Sequence, residues 1–310
     1  MEKQKPENAG QSRRGVLKCL AWAGTGIVWT VAGGVPRPLG LGEALAATPA
    51  DGFTFVQISD SHIGFNKEAN PDPNATLQAA LDRIAQLPKK PAMMIHTGDV
   101  SHLSKPAEFD VAEQLMKSVK LDTHYVPGEH DVIGDDGQQF FARFAKEANT
   151  GGWYSFDQGG VHFVALNNVQ NFVKDGAGGF GAEQLEWLEK DVKGRTASTP
   201  IVVFTHVPMW PIYQEWGWAT ADAPQALSYL KRFGSVTVLN GHIHQIVQKV
   251  EGNVSFRTAM STAFPQPLAG QGPAPAPLKV PAEQLRSVIG IREVGIVAAR
   301  PAAVTDLTLA

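Results

Sequence analysis

Five short blocks of histidine and carboxylate residues follow one another along this 310-residue chain. They are Asp60-x-His62, Gly98-Asp99, Gly128-Glu129-His130-Asp131, His206 and Gly241-His242-x-His244. Imidazole and carboxylate groups together suit zinc, iron, manganese or cobalt. Because Cys19 is the only cysteine, neither a disulfide within the chain nor a cysteine-based zinc site is available. The blocks therefore predict a metal site built from histidine and carboxylate side chains.

The composition of the blocks favours two neighbouring metal ions. Asp99 has two carboxylate oxygens and can bridge two ions, while His242 and His244, placed on a turn, can point at different ions. Two metal ions about 3.5–4 Å apart can hold a hydroxide between them together with both oxygens of a phosphoryl group. The hydroxide attacks phosphorus in line, and the ions neutralise the charge that develops. These residues are suited to the hydrolysis of a phosphate ester.

Taken in this order, the blocks resemble the motif of the calcineurin-like metallophosphoesterase superfamily, which reads D-x-H, G-D, G-N-H-D/E, H and G-H-x-H. The resemblance extends from about residue 53 to residue 259, and residues 181–189 resemble the helix that precedes the fourth block in that superfamily. It implies a hydrolase of phosphoric ester bonds with two divalent or mixed-valence ions of iron, manganese or zinc. A phosphodiester is the favoured substrate, because a histidine acid suits a leaving alkoxide.

Carried over residue by residue, the resemblance implies a role for each member of the blocks. The implied ligands of the first ion are Asp60, His62 and His244. Those of the second ion are Glu129, His206 and His242, and Asp99 would bridge the two ions. His130 would donate a proton to the leaving oxygen or hold the phosphate, and Asp131 would orient His130.

Glu129 departs from the motif, which has asparagine at this position. With Asp60 and Asp99 it offsets all but one of the four positive charges of two divalent ions, and a hydroxide offsets the last. Either Glu129 turns away and binds no metal, or it is a ligand. If it is a ligand, three outcomes are open: a trivalent iron restores the charge balance, the substrate preference shifts, or catalysis is weak. Two alternative functions stay open: a phosphomonoesterase of the purple acid phosphatase type and a weakly active metal-binding scaffold.

Further side chains near the blocks have more than one interpretation. His102 stands where purple acid phosphatases have an iron-binding tyrosine, and is either an extra ligand, a partner of a ligand, or a polar loop residue that can touch the substrate. Trp210, Trp216 and Trp218 either line the mouth of the site, where they could stack on a base or sugar, or pack a long loop. The proline-rich stretch 264–281 is either a lid or a surface loop.

The predicted elements place each block at the carboxyl end of a strand. Short apolar runs predict strands at 53–59, 92–95, 124–126, 201–204 and 236–239. Helical spacing predicts helices at 77–87 and 109–119, so strands and helices alternate as in βαβ units with a parallel sheet. Because the carboxyl ends of parallel strands form the ligand crevice of such sheets, the blocks can converge there.

The second half of the chain adds a hairpin, 153–156 with 161–166, helices near 185–192 and 224–233, and strands at 253–259 and 304–309. With the resemblance, this predicts an α/β fold: a four-layer αββα sandwich of two mixed β-sheets flanked by helices. We expect a single domain over residues 47–310.

Residues 1–46 are typical of a twin-arginine export signal. Arg13-Arg14 precede an uncharged run over 19–34, and Ala44-Leu45-Ala46 offers a small-x-small cleavage site. The run is shorter than the ~20 apolar residues of a spanning helix, so no stable membrane anchor is expected. An uncleaved anchor and a lipid on Cys19 are the alternatives. The sequence thus predicts the twin-arginine export machinery as a partner, and a periplasmic or secreted bacterial protein.

The overall composition limits the classes of partner. The chain is 43% hydrophobic and 18% charged, which fits a folded protein with a large core. Its formal net charge is −3 and no lysine-rich or arginine-rich block occurs, which argues against a general nucleic-acid binder. A small phosphate ester remains the expected substrate.

Overall fold

The computed structural model describes residues 28–32, 35–39, 52–148, 151–172, 177–296 and 302–310. Of a first unit, Met1–Asp51, it describes the backbone of two antiparallel strands, β1 (Val28–Ala32) and β2 (Val35–Leu39). The rest of the predicted signal peptide, residues 1–46, lies outside the described residues. A second compact unit, Gly52–Ala310, contains all five blocks. Within the described residues, no helix combines the length and apolar character needed to cross a bilayer.

The first sheet of this second unit has five strands in the order β13-β12-β3-β4-β5. Its strands are β3 (Phe53–Ile58), β4 (Met94–His96), β5 (Thr123–Tyr125), β12 (Gly290–Ile296) and β13 (Ala303–Thr308). The first three are parallel, whereas β12 runs antiparallel to β3 and β13 runs antiparallel to β12. The sheet is therefore mixed.

The second sheet has six strands in the order β10-β11-β9-β8-β7-β6. They are β6 (Tyr154–Gln158), β7 (Val161–Ala165), β8 (Ile201–Phe204), β9 (Val236–Asn240), β10 (Gln248–Glu251) and β11 (Val254–Thr258). The four strands β7, β8, β9 and β11 are parallel, and β6 and β10 pair antiparallel at the two edges. The predicted hairpin is confirmed as β6 and β7.

Helices lie in the connections between strands. They are α1 (Pro73–Ala85), α2 (Pro106–Met116), α3 (Gln138–Phe144), α4 (Ala182–Lys193), α5 (Ala223–Leu230) and α6 (Leu285–Val288). The start of α1 follows from its sequence, because the Asp72 side chain accepts a hydrogen bond from the Ala75 N–H at 3.0 Å and proline occupies the first turn.

Apolar packing holds the two sheets together. Phe55 of β3 contacts Phe163 of β7 edge to face, with ring centroids 5.4 Å apart, so the inner faces of the sheets share one core. A second cluster joins the other side of the six-stranded sheet to α4 and α5 through Leu188 and Leu230. Two mixed sheets flanked by helices confirm the predicted αββα class.

Candidate metal centre

The five blocks meet because the carboxyl ends of parallel strands from both sheets lie side by side. Asp60 and His62 follow β3, and Asp99 follows β4. The block with Glu129 follows β5, His206 follows β8, and the block with His242 and His244 follows β9. Three blocks belong to the first sheet and two to the second, so only the packing of sheet on sheet brings them into one cluster.

The backbone that carries these side chains is unusual. The φ angles are 54° at Asp60, 42° at His62, 55° at Asp99, 70° at His242 and 54° at His244. This left-handed conformation costs a residue other than glycine about 1 kcal/mol or more. Such conformations cluster at functional sites, where the surrounding structure holds them in place. The geometry favours a function for these five residues.

Hydrogen bonds between the loops maintain this conformation. The Asp60 N–H donates to Gly98 O and the His62 N–H donates to Asp99 O, both at 2.9 Å. The His242 N–H donates to Asp60 Oδ1 at 3.0 Å, which links the loop after β9 to the loop after β3. The Asp60 carboxylate thus links the loops of the two sheets.

Glycine is required in two of the blocks because ligand side chains pass close to the backbone. At Gly98, where φ is 93°, a Cβ atom would lie 2.5 Å from His206 Nδ1 and 2.6 Å from Gly128 N. At Gly241 a Cβ atom would collide with the side chains of Ser59 and Asp60. A larger residue at either position would displace a candidate ligand.

The first group of candidate ligands contains Asp60, His62 and His244. His62 Nε2 lies 3.2 Å from His244 Nε2, and His244 Nε2 lies 3.3 Å from Asp60 Oδ1. The His244 Nδ1–H donates to Phe264 O at 2.6 Å, so in the neutral ring the Nε2 lone pair faces the group. Lone pairs from three side chains therefore converge.

The second group contains Glu129, His206 and His242. Glu129 Oε2 lies 2.8 Å from His206 Nε2, and Glu129 Oε1 lies 2.9 Å from His242 Nδ1. The His206 Nδ1–H donates to Thr97 O at 2.6 Å, which leaves Nε2 as an acceptor in the neutral ring. Glu129 Oε2 is buried without a hydrogen-bond partner in the described structure, despite its short distance to His206. Glu129 thus faces the two histidines instead of turning away.

Asp99 lies between the two groups. Its Oδ2 atom is 3.5 Å from His62 Nε2 in the first group and 3.4 Å from His206 Nε2 in the second. Its Oδ1 atom accepts a hydrogen bond from the His130 N–H at 3.0 Å. One carboxylate oxygen therefore faces both groups, as a bridging ligand would.

The donor set fits a pair of transition metal ions. Within each of the two groups, the ligand atoms lie within 4.8 Å of one another. Buried oxygen and nitrogen lone pairs that face each other repel unless a proton or a metal ion lies between them. Nitrogen and oxygen ligands of this kind suit zinc, iron or manganese.

The charges in the cluster are strongly coupled. Burial acts to raise the pKa of Asp60, but His244 and His206 outweigh it and lower that pKa overall. Burial acts to lower the pKa of His206, but Asp99 and Glu129 raise it well above the usual value for histidine. Without metal, the carboxylates thus draw positive charge to His206, and bound metal ions would take its place.

His130 lies beside the cluster with one ring nitrogen occupied. Its Nδ1–H donates to His102 O at 2.7 Å, so Nε2 is the nitrogen left for a ligand. Burial favours its neutral form, but Asp99 and Glu129 raise the pKa of His130 overall. The ring lines the cavity over the cluster, where a substrate would bind.

Asp131 holds the loops together and has no described hydrogen bond to the His130 ring. Its carboxylate accepts hydrogen bonds from the N–H groups of Val100 at 3.1 Å, Ser101 at 2.8 Å and Gly128 at 3.0 Å. Burial and the neighbouring Asp99 nevertheless raise the pKa of Asp131 to about 7. Its hydrogen bonds connect the loops after β4 and β5, and the His130 ring is instead oriented by His102 O.

A cavity of about 250 Å³ opens over the cluster. Trp216 and Trp218 line it, in agreement with the first of the two interpretations of these residues. Trp210 does not, because its ring packs on Phe256 with centroids 5.1 Å apart in the cluster outside the six-stranded sheet. Prolines of the 264–281 stretch complete the wall.

Two polar residues of the cavity wall were not predicted, Lys67 and Gln266. The Gln266 Nε2 donates to His242 O at 3.1 Å, whereas its Oε1 is buried and has no hydrogen-bond partner among the described residues. Neither residue stands in a block, and Gln266 lies 24 positions from His242 in sequence. Their position next to the centre depends on loop packing, which local sequence patterns do not report.

The profile of the family described as calcineurin-like phosphoesterase matches residues 53–246, which include all five blocks. The chain belongs to the calcineurin-like phosphoesterase family. It is therefore a hydrolase acting on phosphoric ester bonds, as the blocks predicted.

Three known proteins similar to this phosphoesterase agree with that assignment. A 3',5'-cyclic-nucleotide phosphodiesterase of Nostoc sp. is 24% identical over 220 residues, which cover 68% of this chain and 79% of the relative. Purple acid phosphatase 15 of Arabidopsis thaliana is 33% identical over 147 residues, 43% of this chain but only 26% of the plant protein. The crystal structure of a dimetal phosphatase from Danio rerio has the same fold, with a TM-score of 0.60 and 14% identity over 83% of this chain and 99% of that chain.

Histidines elsewhere in this phosphoesterase have structural partners. His162 is fully buried between two carboxylates, with Nε2 2.6 Å from Asp191 Oδ2 and Nδ1 3.0 Å from Asp157 Oδ1. His96 Nε2 lies 2.9 Å from Ser61 Oγ, and burial lowers the pKa of His96 to about 3. Neither histidine belongs to a candidate metal-binding group among the described residues.

Proposed function

We propose that this protein hydrolyses a phosphodiester with a dinuclear metal centre. The position of Asp99 carries the proposal, because one carboxylate oxygen lies within 3.5 Å of a histidine from each ligand group. The residues proposed as ligands are Asp60, His62, Asp99, Glu129, His206, His242 and His244. The metal ions are iron, manganese or zinc, all divalent or in a mixed-valence pair.

Two bound ions would supply Lewis acidity toward the phosphoryl oxygens and an acidified bridging water as the nucleophile. The chain itself supplies orientation. Thr97 O and Phe264 O fix the tautomers of His206 and His244, so that both Nε2 lone pairs face inward. The left-handed loops hold the ligands in place before substrate arrives, which lowers the reorganisation needed during the reaction.

His130 is the proposed proton donor to the leaving oxygen. Its Nδ1–H is committed to His102 O, so Nε2 is the atom from which a proton can be delivered. The His130 main-chain N–H also donates to Asp99 Oδ1, which keeps the ring next to the bridging carboxylate. Asp131 contributes by fixing the loop on which His130 stands.

The carboxylate of Glu129 favours a diester over a monoester. Three carboxylate ligands reduce the charge of two divalent ions to a net charge of +1. With the asparagine of the motif in place of Glu129, the net charge would be +2. A monoester carries about two negative charges near neutral pH and a diester carries one, so the weaker positive field costs the monoester more. The longer match to a relative named a phosphodiesterase, 68% of this chain against 43% for the purple acid phosphatase, supports the same choice.

A purple acid phosphatase type of monoesterase is the second candidate, favoured by the 33% identity to the plant enzyme. A ferric ion would restore the charge that Glu129 removes. The residue at the position of the iron-binding tyrosine is His102, so the purple charge-transfer colour is not expected. A weakly active metal-binding scaffold is the outcome if metal binds without turnover.

The proposed place of action is the periplasm or the cell exterior, reached through twin-arginine export. The support is the Arg13-Arg14 pair and the Ala44-Leu45-Ala46 cleavage site. Replacing Arg13-Arg14 with two lysines should retain the full-length protein in the cytoplasm. Intact mass of the exported wild type should show cleavage after Ala46, and an uncleaved periplasmic chain would contradict the proposal.

The deciding experiment measures metal content and turnover on one sample of exported protein. Metal content is determined by mass spectrometry, and bis-p-nitrophenyl phosphate and p-nitrophenyl phosphate serve as diester and monoester. Two transition metal ions per chain with faster diester turnover support the proposal. Faster monoester turnover would support the second candidate. Metal without turnover, after addition of manganese, iron or zinc, would support the scaffold.

A further inference from the structure

We propose that His102 is a positioning residue for the first metal site, through a hydrogen bond from His62. His102 Nδ1 lies 3.4 Å from His62 Nδ1, on the side of the His62 ring away from the ligand group. His62 Nε2 is the nitrogen that faces His244 and Asp99. This inference rests on the proposed metal centre and adds a residue that lies outside its ligand set.

The other ligand histidines show why His62 needs such a partner. The Nδ1–H groups of His206 and His244 donate to the main-chain oxygens of Thr97 and Phe264, both at 2.6 Å. Among the described contacts, His62 Nδ1 has no carbonyl and meets only the His102 ring. A histidine that binds metal through Nε2 carries its proton on Nδ1 and needs an acceptor there. His102 Nδ1 supplies it when its own proton is on Nε2.

The surroundings fix the His102 ring in this position. It stacks on the His130 ring with centroids 4.9 Å apart and planes inclined by 18°. The Phe65 ring also packs against the His102 ring in an edge-to-face arrangement, with centroids 5.2 Å apart. The main-chain oxygen of His102 accepts a hydrogen bond from the His130 Nδ1–H. His102 therefore orients both the ligand His62 and the proposed acid His130.

An alternative role for His102 is that of a metal ligand, since nitrogens of His62, His102 and His130 lie close enough together to hold an ion. That role would use His62 Nδ1, whereas Nε2 is the atom that points at the carboxylates. The two roles require different chemistry at position 102. A hydrogen-bond acceptor suffices for the first, and a metal-binding nitrogen is needed for the second.

The test compares two substitutions that separate ring shape from hydrogen bonding. His102→Phe keeps the stacked ring and removes the acceptor, whereas His102→Gln keeps an acceptor oxygen. Dissociation constants for Mn²⁺ and Zn²⁺ are measured by chelator competition on the full exported chain. The control is His124→Gln in β5, because the His124 ring pairs with Glu147 and belongs to no candidate ligand group of the described residues. We expect His102→Phe to weaken one of the two sites about 10- to 100-fold and His102→Gln to stay within a few-fold of wild type.

A second readout follows the proton itself. In the cobalt(II)-substituted protein, the ring N–H protons of ligand histidines give strongly shifted NMR signals. We expect the His62 Nδ1–H signal to lose its protection from exchange in His102→Phe and to keep it in His102→Gln. Wild-type affinity in both variants, or equal weakening in both, would overturn the inference. If the wild-type protein itself fails to bind two ions, it is the proposed function that fails.

Discussion

Glu129 Oε2 and His206 Nε2 lie 2.8 Å apart in the second group of candidate ligands. The His206 Nδ1–H already donates a hydrogen bond to Thr97 O. In the neutral ring, His206 Nε2 and Glu129 Oε2 are therefore two buried acceptor atoms that face each other. A proton or a metal ion must lie between them. His206 is fully buried and its Nε2 also lies 3.4 Å from Asp99 Oδ2, so the pair is suited to hold a cation.

Replacing the carboxylate tests this charge argument. Glu129→Asn should return one positive charge to the centre, raise diester turnover several-fold and raise monoester turnover more, while weakening the second ion about tenfold. Turnover of both p-nitrophenyl esters and metal content are measured together. Glu129→Gln, which keeps the chain length without the charge, is the matched control. A fall in both rate and metal content would mean that the carboxylate is required.

The bridging position of Asp99 predicts that its loss affects both ions. Asp99→Ala should reduce the metal content from two ions per chain to less than one, because one oxygen faces histidines of both groups. Asp136→Ala is a suitable control, since Asp136 has the same left-handed φ of 55° and lies outside the candidate ligand groups. Two ions still bound in Asp99→Ala would exclude a bridging role.

The role of His130 as proton donor predicts a dependence on the leaving group. His130→Gln should slow hydrolysis of an alkyl diester about 10²- to 10⁴-fold, the usual contribution of a general acid. Hydrolysis of bis-p-nitrophenyl phosphate should slow much less, because p-nitrophenolate leaves without a proton. Metal content should be unchanged. Loss of metal in this variant would instead show that His130 is a ligand.

Trp216 should affect substrate binding more than the chemical step. Its half-buried ring lines the cavity and packs edge-on against Trp218, with centroids 5.1 Å apart. Trp216→Ala should raise KM for bis-p-nitrophenyl phosphate about 2- to 10-fold, the equivalent of about 0.5–1.5 kcal/mol of aromatic contact. KM for methyl p-nitrophenyl phosphate should change less. Trp187→Ala, in α4, is the control, and equal effects on both substrates would argue against stacking.

Away from the centre, Asp191 predicts a pH-dependent stability. Burial acts to raise the pKa of Asp191, but hydrogen bonds from His162 and Ser155 lower it below its ordinary value of 3.8. A carboxylate whose pKa is lower in the folded state than in the unfolded state stabilises the fold at pH values above its unfolded-state pKa. This contribution disappears as the pH falls through its folded-state pKa. Asp191→Asn should therefore cost about 1 kcal/mol at pH 7 and clearly less at pH ~2, well below the ordinary carboxyl value. Urea unfolding at both pH values measures the difference, and an equal cost at both would contradict it.

The sequence by itself predicted the candidate ligand set and the order along the chain of the strands that carry it. Each of the five blocks follows a short apolar run, and both signals are local, so they can be read without the fold. The β6–β7 hairpin was predicted for the same reason, since Gly159 and Gly160 mark its turn. The strand β12 was not predicted, because Arg292 and Glu293 interrupt its apolar pattern.

Tertiary structure decided the contacts between residues that are far apart in sequence. Arg292 is buried in β12, where its guanidinium pairs with Asp306 of β13 at 2.7 Å and donates to Thr258 O at 2.8 Å. Which tryptophans line the cavity, and which oxygen orients His130, depend in the same way on loops packed across two sheets. A side chain's type and spacing report the chemistry it can perform, whereas its partners depend on packing that no local pattern encodes.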